Sequence, residues 1–275
     1  MNGAQIQVKF WGVRGSIACS GEATRRYGGN TSCLEVTCGG RRVILDGGTG
    51  LRYLGTTLIG QVQDCDLLLS HTHYDHIAGI PFFAPFFDPR NRFRLWAGHL
   101  APESSLRETM ERFMHAPLFP VPPAIFRATM EYRDFPVGER LRLAPRLEVV
   151  TGKLNHPNRA TGYRLEYGGK AVAYITDTEH KPGQPDAEVL RLIDRADIAV
   201  YDAMFDDATL GPKTGFGHST WQEALRLAEL AKVKTLAIFH HDPESDDARL
   251  DAIAAEAARM RPGTIVAKEG MVLIP

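Results

Sequence analysis

The sequence predicts an α/β protein in which two β-rich halves form one sandwich, with helices packed against it. Strand-like runs alternate with turns through the first 70 residues, and after Leu141 a second set of strand-like runs repeats this pattern. Segments with helical periodicity lie between and after these runs. A chain of 275 residues that is 44% hydrophobic is long enough to bury one substantial core, so 1–275 is predicted to be a single domain.

The first half is predicted to consist of short strands followed by one helix, with a hairpin turn at Gly39-Gly40. These strands cover 6–11, 32–37, 42–45 and 66–69, and the helix covers 102–114. Phe and Pro are frequent between 81 and 123. Most of these aromatic residues are expected in a hydrophobic layer, whereas the alternative for Phe119-Pro120-Val121 is an apolar lid over a functional site.

The second half is predicted to contain three strands, three helices and a short final strand. The strands cover 146–151, 162–167 and 171–176, the helices cover 186–195, 221–231 and 246–260, and the last strand covers 272–274. Thr220 and Glu223 have the spacing of a capping box, which predicts that a helix begins at Trp221.

A cluster of metal-binding residue types follows the apolar run Leu67-Leu68-Leu69. Because side chains alternate along a strand, His71 and His73 are expected on the same side, where both can bind one ion. Asp75 and His76 come at the following turn and point elsewhere, so they can reach a second ion nearby. The pattern H-x-H-x-D-H therefore predicts two adjacent metal ions, and a polar turn with hydrogen-bonded core histidines is the alternative.

This motif resembles the signature of the metallo-β-lactamase superfamily of hydrolases, and the resemblance implies a four-layer αββα sandwich. It also implies three further metal ligands, each at a strand end, and the sequence offers His156, Asp177 and His240 for these positions. An Asp at 177 is similar to the dinuclear branches, where this carboxylate bridges the metals. His241 is the alternative to His240 as the last ligand, because strand alternation allows only one of the two to face the metals.

Four other segments resemble a phosphodiesterase-type subgroup related to ribonuclease Z and the bacterial cyclic phosphodiesterases; they are 8–16, 27–33, 44–50 and 217–224. The resemblance implies that His218 acts near the scissile phosphate and pairs with Asp202. A helix beginning at Trp221 would place His218 just before a helix N-terminus, which favours an anion. The alternative for His218 is a solvent-exposed capping loop.

The resemblance implies a dinuclear metal-dependent hydrolase in which a metal-bridging hydroxide attacks the substrate. One ion is assigned to His71, His73 and His156, the other to Asp75, His76 and His240, with Asp177 bridging. The candidate catalytic residues are Asp75, His218 and Asp202. Zinc is the default for such a site, and manganese or iron is also compatible with these ligands. Asp46 is expected either to orient a ligand imidazole or to form an Asx turn.

The predicted substrate is a small phosphodiester such as a cyclic nucleotide, and the alternative is a carboxylic ester, lactone or sulfate ester. The formal net charge is −1 and the sequence pI is about 6.8, which gives no global basic field. Ribonuclease Z enzymes carry a long RNA-gripping arm between the ligands that match His156 and Asp177, and here a short segment with a Gly168-Gly169 turn stands there. An extended nucleic acid is therefore not expected as a substrate.

The sequence shows no signal peptide and no apolar run long enough for a membrane span, so a cytoplasmic protein without a membrane partner is predicted. Its four cysteines are expected as free thiols. A homodimer is compatible with the resemblance. His99, His115 and His180 lie outside the matching motifs and are not expected to bind metal.

Overall fold

The computed structural model describes residues 5–181 and 183–275, which form two seven-stranded sheets and six α-helices. The first sheet contains β1 (Ile6–Gly12), β2 (Cys33–Cys38), β3 (Arg41–Leu45), β4 (Asp64–Leu69), β5 (Arg92–Ala97), β6 (Thr129–Asp134) and β14 (Val272–Leu273). Its strand order is β14-β1-β2-β3-β4-β5-β6.

The second sheet contains β7 (Arg140–Ala144), β8 (Leu147–Leu154), β9 (Ala160–Tyr167), β10 (Lys170–Ile175), β11 (Ile198–Asp202), β12 (Thr235–Phe239) and β13 (Thr264–Val266), in the order β13-β12-β11-β10-β9-β8-β7. The helices are α1 (Gly50–Thr57), α2 (Tyr74–Ile77), α3 (Leu106–Phe113), α4 (Ala187–Ile193), α5 (Trp221–Leu230) and α6 (Asp247–Met260).

Three apolar clusters separate four layers of secondary structure. The central cluster joins the two sheets, with side chains such as Phe10 from the first sheet and Phe239 from the second. A second cluster joins the outer face of the second sheet to α4, α5 and α6. A third joins the outer face of the first sheet to α1 and α3. This arrangement confirms the predicted α/β class and the four-layer αββα sandwich.

Local sequence accounts for the strands in two different ways. In β1, buried and partly exposed residues alternate, which is the period of two expected for a strand with one covered face. In β11 all five residues from Ile198 to Asp202 are buried, because this parallel strand is covered on both faces. The Gly39-Gly40 turn has positive φ at both residues, 53° and 89°, as a tight hairpin requires.

Strong caps fix where two helices begin, one at the predicted residue and the other four residues later than predicted. Helix α5 begins at Trp221, because the Thr220 side chain accepts the backbone N–H of Glu223 at 3.1 Å. Helix α3 begins at Leu106 and not at 102, because Ser105 and Glu108 form a complete capping box.

The Phe- and Pro-rich segment 81–123 divides into buried and exposed aromatic residues. Phe83, Phe86 and Phe93 are buried in the third cluster, as the hydrophobic-layer prediction requires. Phe82 is exposed and its ring contacts that of Phe119, with centroids 6.0 Å apart. No helix among the described residues is long and apolar enough to cross a membrane.

Candidate metal centre

The predicted metal ligands lie together because each follows the C-terminal end of a strand at the same end of the sandwich. His71 comes two residues after β4 and His156 two residues after β8. Asp177 follows β10 in the same way, and His240 directly follows β12. Asp177 and His240 both have positive φ, 54° and 60°. Such backbone conformations are uncommon for residues other than glycine and concentrate at functional sites.

Three imidazoles form what we call the three-histidine position. Nδ1 of His73 lies 2.9 Å from Nε2 of His71 and 3.0 Å from Nε2 of His156. The His71 and His156 side chains are buried and His73 is half-buried. One carboxylate oxygen, Oδ2 of Asp177, lies 3.7 Å from Nε2 of His71 and 3.6 Å from Nε2 of His156. This position therefore offers three nitrogen donors and one oxygen donor.

Four buried side chains form what we call the mixed position; they are Asp75, His76, Asp177 and His240. Nε2 of His76 lies 3.2 Å from Oδ2 of Asp75 and 3.3 Å from Oδ1 of Asp177. Nε2 of His240 lies 3.3 Å and 3.2 Å from the same two oxygens. Nε2 of His76 is buried and makes no hydrogen bond, although it lies between the two carboxylates of this group.

The donor spacing of the mixed position fits a bound metal ion. A tetrahedral ion with bonds of about 2.0–2.1 Å to nitrogen and oxygen separates neighbouring donors by about 3.3–3.4 Å. The observed 3.2–3.3 Å between His76 or His240 and the two carboxylates agrees with this spacing. Asp177 points Oδ1 into the mixed position and Oδ2 towards the three-histidine position, so it can reach both.

The two positions differ in their charge state. Burial lowers the pKa of His71 well below its usual value and also lowers the pKa of His156, so both imidazoles are neutral at pH 7. Burial also acts to lower the pKa of His76, but Asp75 and Asp177 outweigh it and raise this pKa well above the usual value. Burial acts to raise the pKa of Asp177, and the neighbouring histidines, His240 first, lower it well below the usual value instead.

Asp46 hydrogen-bonds His76, one of the ligand candidates of the mixed position. Its carboxylate accepts a hydrogen bond from Nδ1 of His76 at 2.8 Å, and also from the Ser70 backbone and side chain and the Tyr174 hydroxyl. All of these groups are buried. Asp46 thus directs Nε2 of His76 towards the metal position, and the structure agrees with the orienting alternative for this residue.

The groups that hydrogen-bond the other ligands, which we call outer partners, come from segments distant in the sequence. The backbone N–H of Ser16 donates to Oδ2 of Asp75 at 2.8 Å. Nδ1 of His156 lies 2.8 Å from the Gly217 carbonyl, and a Cβ at Gly217, whose φ is +87°, would collide with the His156 ring. Nε2 of His73 lies 3.1 Å from Oδ1 of Asn158. The sequence alone did not predict these partners. The sequence feature that pointed to them was the glycines of 8–16 and 217–224, because glycine allows the backbone to come close to other groups.

His218 lies beside both metal positions, and Asp202 holds it there. Its Nδ1 is 3.1 Å from Oδ2 of Asp202 and 3.9 Å from Oδ2 of Asp177. Burial acts to lower the pKa of His218, but the Asp202 carboxylate outweighs it and raises this pKa to about 9. A protonated His218 in front of the N-terminus of α5 favours a bound anion. The structure thus brings together His218 and Asp202 as the sequence predicted.

The remaining histidines lie outside these contacts. His241 turns away from the cluster, and its Nε2 donates to the Ala267 carbonyl at 2.8 Å. The structure therefore places His240, and not His241, among the ligand candidates. His99 contacts Thr72, His180 contacts the Tyr201 hydroxyl, and His115 is exposed.

This geometry agrees with comparisons to known proteins. The family model described as the beta-lactamase superfamily domain matches residues 41–241, which is most of the chain and spans every ligand candidate from His71 to His240. The chain belongs to this superfamily. It is a metal-dependent hydrolase, and its relatives include ribonuclease Z enzymes.

Relatives of this superfamily member align along nearly the whole chain. A ribonuclease Z from Halorubrum lacusprofundi is 24% identical and covers 98% of this chain and 94% of its own length. A diphosphatase of the PhnP family has a similar structure, with a TM-score of 0.70, 21% identity and coverage of 98% and 97% of the two chains. The short form of human tRNase Z has a TM-score of 0.68, 18% identity and coverage of 97% and 98%.

These relatives correct one prediction. The expectation that an extended nucleic acid is not a substrate is wrong, because a ribonuclease Z aligns with almost the whole chain. The prediction relied on net charge and on the short segment between His156 and Asp177. Net charge averages over the whole surface, whereas a scissile phosphate is bound locally, so a formal charge of −1 does not exclude RNA.

Proposed function

We propose that this protein is a dinuclear metal-dependent phosphodiesterase. Seven side chains would hold two divalent ions, three in the three-histidine position, three in the mixed position, and Asp177 shared between them. The observation that carries this proposal is the orientation of Asp177, whose two oxygens point into different donor groups. A carboxylate placed in this way is suited to bridge two cations.

The donor chemistry fits zinc, and it is also compatible with manganese or iron, since five imidazoles and two carboxylates suit each of these metals. When bound, two such ions supply hydroxide at neutral pH and offset the developing negative charge of a phosphoryl group. The chain's own contribution is to hold the donors in place. Asp46 orients His76, the Ser16 N–H fixes Asp75, and the Gly217 carbonyl fixes His156.

His218 is proposed to bind a phosphoryl oxygen and to donate a proton to the leaving alkoxide. Its raised pKa keeps it protonated at pH 7, which is the form that can donate. Asp202 is proposed as a positioning residue, because its carboxylate is fully buried and fixes Nδ1 of His218, which leaves Nε2 to face a substrate. Asp75 is proposed as a ligand whose loss abolishes catalysis.

Two kinds of phosphodiester are candidates for the substrate. A small diester such as a cyclic nucleotide is one proposal, and the similarity to a diphosphatase fold supports a small phosphate substrate. RNA is the second, and the aligned ribonuclease Z supports it. The cytoplasmic location and the homodimer stay predictions.

The first experiment is metal analysis together with hydrolysis assays on wild type and Asp75→Ala. Substrates are bis(p-nitrophenyl) phosphate, cyclic AMP, a precursor tRNA, a lactone and an aryl sulfate. His115→Ala is the matched control, because His115 is exposed and outside the cluster. Two metals per wild-type chain, with diester hydrolysis lost only in Asp75→Ala, would support the proposal. Two metals with hydrolysis of the lactone or aryl sulfate alone would contradict it.

A further inference from the structure

Glu179 lies where three segments of the candidate metal centre meet. It is half-buried and comes two residues after Asp177, the carboxylate that both positions share. It hydrogen-bonds Asn155, which directly precedes His156 in the chain. It also hydrogen-bonds the glycine-containing loop 215–217. The segments after β8 and β10 and the segment before α5 are therefore joined at this one residue.

The backbone of Glu179 pairs with the residue before His156. Its N–H donates to the Asn155 carbonyl at 2.8 Å, and its carbonyl accepts from the Asn155 side-chain amide, also at 2.8 Å. These two hydrogen bonds fix the chain directly after β8, where it enters the metal centre. The backbone that carries His156 is thus held by Glu179.

The carboxylate of Glu179 holds the loop that contacts the His156 ring. Its Oε2 accepts the backbone N–H of Gly215 at 2.8 Å and that of Gly217 at 2.9 Å. The Gly217 carbonyl in turn accepts from Nδ1 of His156 at 2.8 Å. Hydrogen bonds to an ionised acceptor are about twice as strong as those between neutral groups. Glu179 therefore fixes His156 twice, through its backbone and through its ring.

The loop needs such an anchor because its glycines are flexible. Gly215 and Gly217 have φ of 93° and 87°, which is a conformation that other residues rarely adopt. A Cβ at Gly217 would collide with the His156 ring, so only glycine allows this close approach. Glycine loses more conformational freedom on ordering than any other residue. The Glu179 carboxylate offsets this loss at both positions.

The same loop leads into His218. This residue directly follows Gly217, and its ring centroid lies 5.2 Å from that of His156. A shift of the loop 215–217 would therefore displace the proposed proton donor as well as the outer partner of a metal ligand. Displacements of about 1 Å in an active site can lower the rate about 100-fold.

We propose that Glu179 is a positioning residue that fixes His156 and His218 relative to each other through the loop 215–217. This inference rests on the proposed dinuclear phosphodiesterase function and adds a residue that acts through others. The alternative is that Glu179 stabilises the fold in general, without a specific effect on one metal position.

The first readout is metal binding. Calorimetric titration of the metal-free protein with metal compares wild type with Glu179→Ala and Glu179→Gln, and His156→Ala identifies the step of the three-histidine position. Glu179→Ala should weaken that step about tenfold, the lower end of the range for outer partners, because Glu179 acts through one further group. Glu179→Gln should lose less, because its amide keeps one acceptor oxygen. The mixed-position step should stay within about threefold of wild type.

Asp88→Ala is the matched control. Asp88 is also half-buried, and its carboxylate accepts the backbone N–H of Arg90 at 3.0 Å, in a segment without a ligand candidate. This variant should change neither titration step. Thermal unfolding of the metal-free proteins completes the comparison. If Glu179→Ala weakens both steps equally and melts below the control, Glu179 supports the fold in general and the proposal is overturned.

The second readout is turnover of diphenyl phosphate with both positions saturated with metal. Phenoxide is a poorer leaving group than p-nitrophenoxide, so its departure depends more on a proton donor. Glu179→Ala should lower kcat about tenfold and change KM less than about threefold, because His218 is displaced. In a His218→Ala background the same substitution should lower kcat by no more than about twofold, because residues that act together are not additive. A full tenfold loss in that background would overturn the proposal.

Failure of this inference and failure of the proposed function give different results. Wild type that binds two metals and hydrolyses a diester, with Glu179→Ala indistinguishable from Asp88→Ala in both readouts, would overturn the role of Glu179 and leave the proposed function standing. Wild type that binds fewer than two metals would refute the dinuclear function, and this inference with it.

Discussion

The three-histidine position and the mixed position share Asp177 but are enclosed to different degrees. All four donors of the mixed position are buried. Its outer partners are the buried carboxylate of Asp46 and the backbone N–H of Ser16. The three-histidine position contains the half-buried His73, whose outer partner Asn158 is exposed. The mixed position is thus built into the sandwich, whereas the three-histidine position lies at its rim.

This difference suggests separate tasks for the two positions. Outer hydrogen bonds orient metal ligands and raise their basicity in both positions, so the position whose donors are all buried should hold its ion more tightly. The rim position also has outer partners, Ser70 for His71 and the Gly217 carbonyl for His156, but the partner of His73, Asn158, is exposed. We therefore expect the mixed position to retain its metal and the three-histidine position to exchange its metal and to meet the substrate.

The largest expected effect comes from the residue that both positions share. Asp177→Ala should lose both metals and all diester hydrolysis, a greater loss than the about 10–100-fold that removal of an outer partner costs. Asp177→Asn is the matched control, because its single carbonyl oxygen can serve one position and should retain about one metal. Metal analysis after gel filtration checks both variants. Two metals retained in Asp177→Ala would show that Asp177 does not bridge.

His218 touches both positions without completing either of them. His218→Ala should lower turnover by about 10²–10⁴ if it is the general acid, with both metals retained. Steady-state kinetics and metal analysis on the same samples measure this. Asp202→Asn should show a smaller loss in the same direction, because the imidazole remains but is no longer held by a charge. Unchanged turnover in His218→Ala would remove this residue from the mechanism.

Asp46→Asn should weaken one position more than the other. Its carboxylate accepts directly from Nδ1 of His76, so the mixed position should lose about 10–100-fold in metal affinity. The three-histidine position should lose less, because Asp46 reaches His71 only through the Ser70 hydroxyl. Tyr174→Phe is the control, since it removes another hydrogen bond to Asp46 without touching a ligand. Calorimetric titration of the metal-free protein with metal measures the binding of the first and the second ion as two separate steps. Equal weakening of both steps would mean that Asp46 supports the fold and not the mixed position.

The two positions should also respond differently to pH. The pKa of His76 is raised, so below that pKa a metal must displace a proton from the imidazole, and affinity should fall about tenfold per pH unit as the pH drops. The pKa values of His71 and His156 are lowered, so no proton competes for them at neutral pH. Titrations in buffers of different ionisation enthalpy should show about one proton released in one step only. Equal proton release in both steps would contradict this.

The smallest expected effect lies at the rim. Asn158→Ala removes the partner of Nε2 of His73, and because this hydrogen bond is partly solvent-exposed, the affinity of the three-histidine position should fall only about threefold. The same calorimetric titration measures it. A loss as large as that of Asp46→Asn would show that the two positions are equally dependent on their outer partners.

Local sequence predicted part of the elements but not β5, β6, β7 or α1, and the family resemblance supplied three of the ligand candidates. The alternation of Ile6, Val8 and Phe10 predicts β1, and Thr220 with Glu223 predicts the start of α5, because these signals depend on residues within one turn or one strand. The H-x-H-x-D-H motif has the same local character. The start of α3 was misplaced because the capping box at Ser105 was not recognised in the sequence.

Contacts between distant segments could be decided only by the tertiary structure. The orientation of His240 and not His241 towards Asp75 depends on how β12 is placed against the first sheet. Asp46 and Tyr174 meet across the two sheets, 128 positions apart in the chain. The sequence by itself determined which residue types could bind metal and where strands end. Packing of the two sheets decided which of those residues meet, because register and layer contacts are not encoded in any one segment.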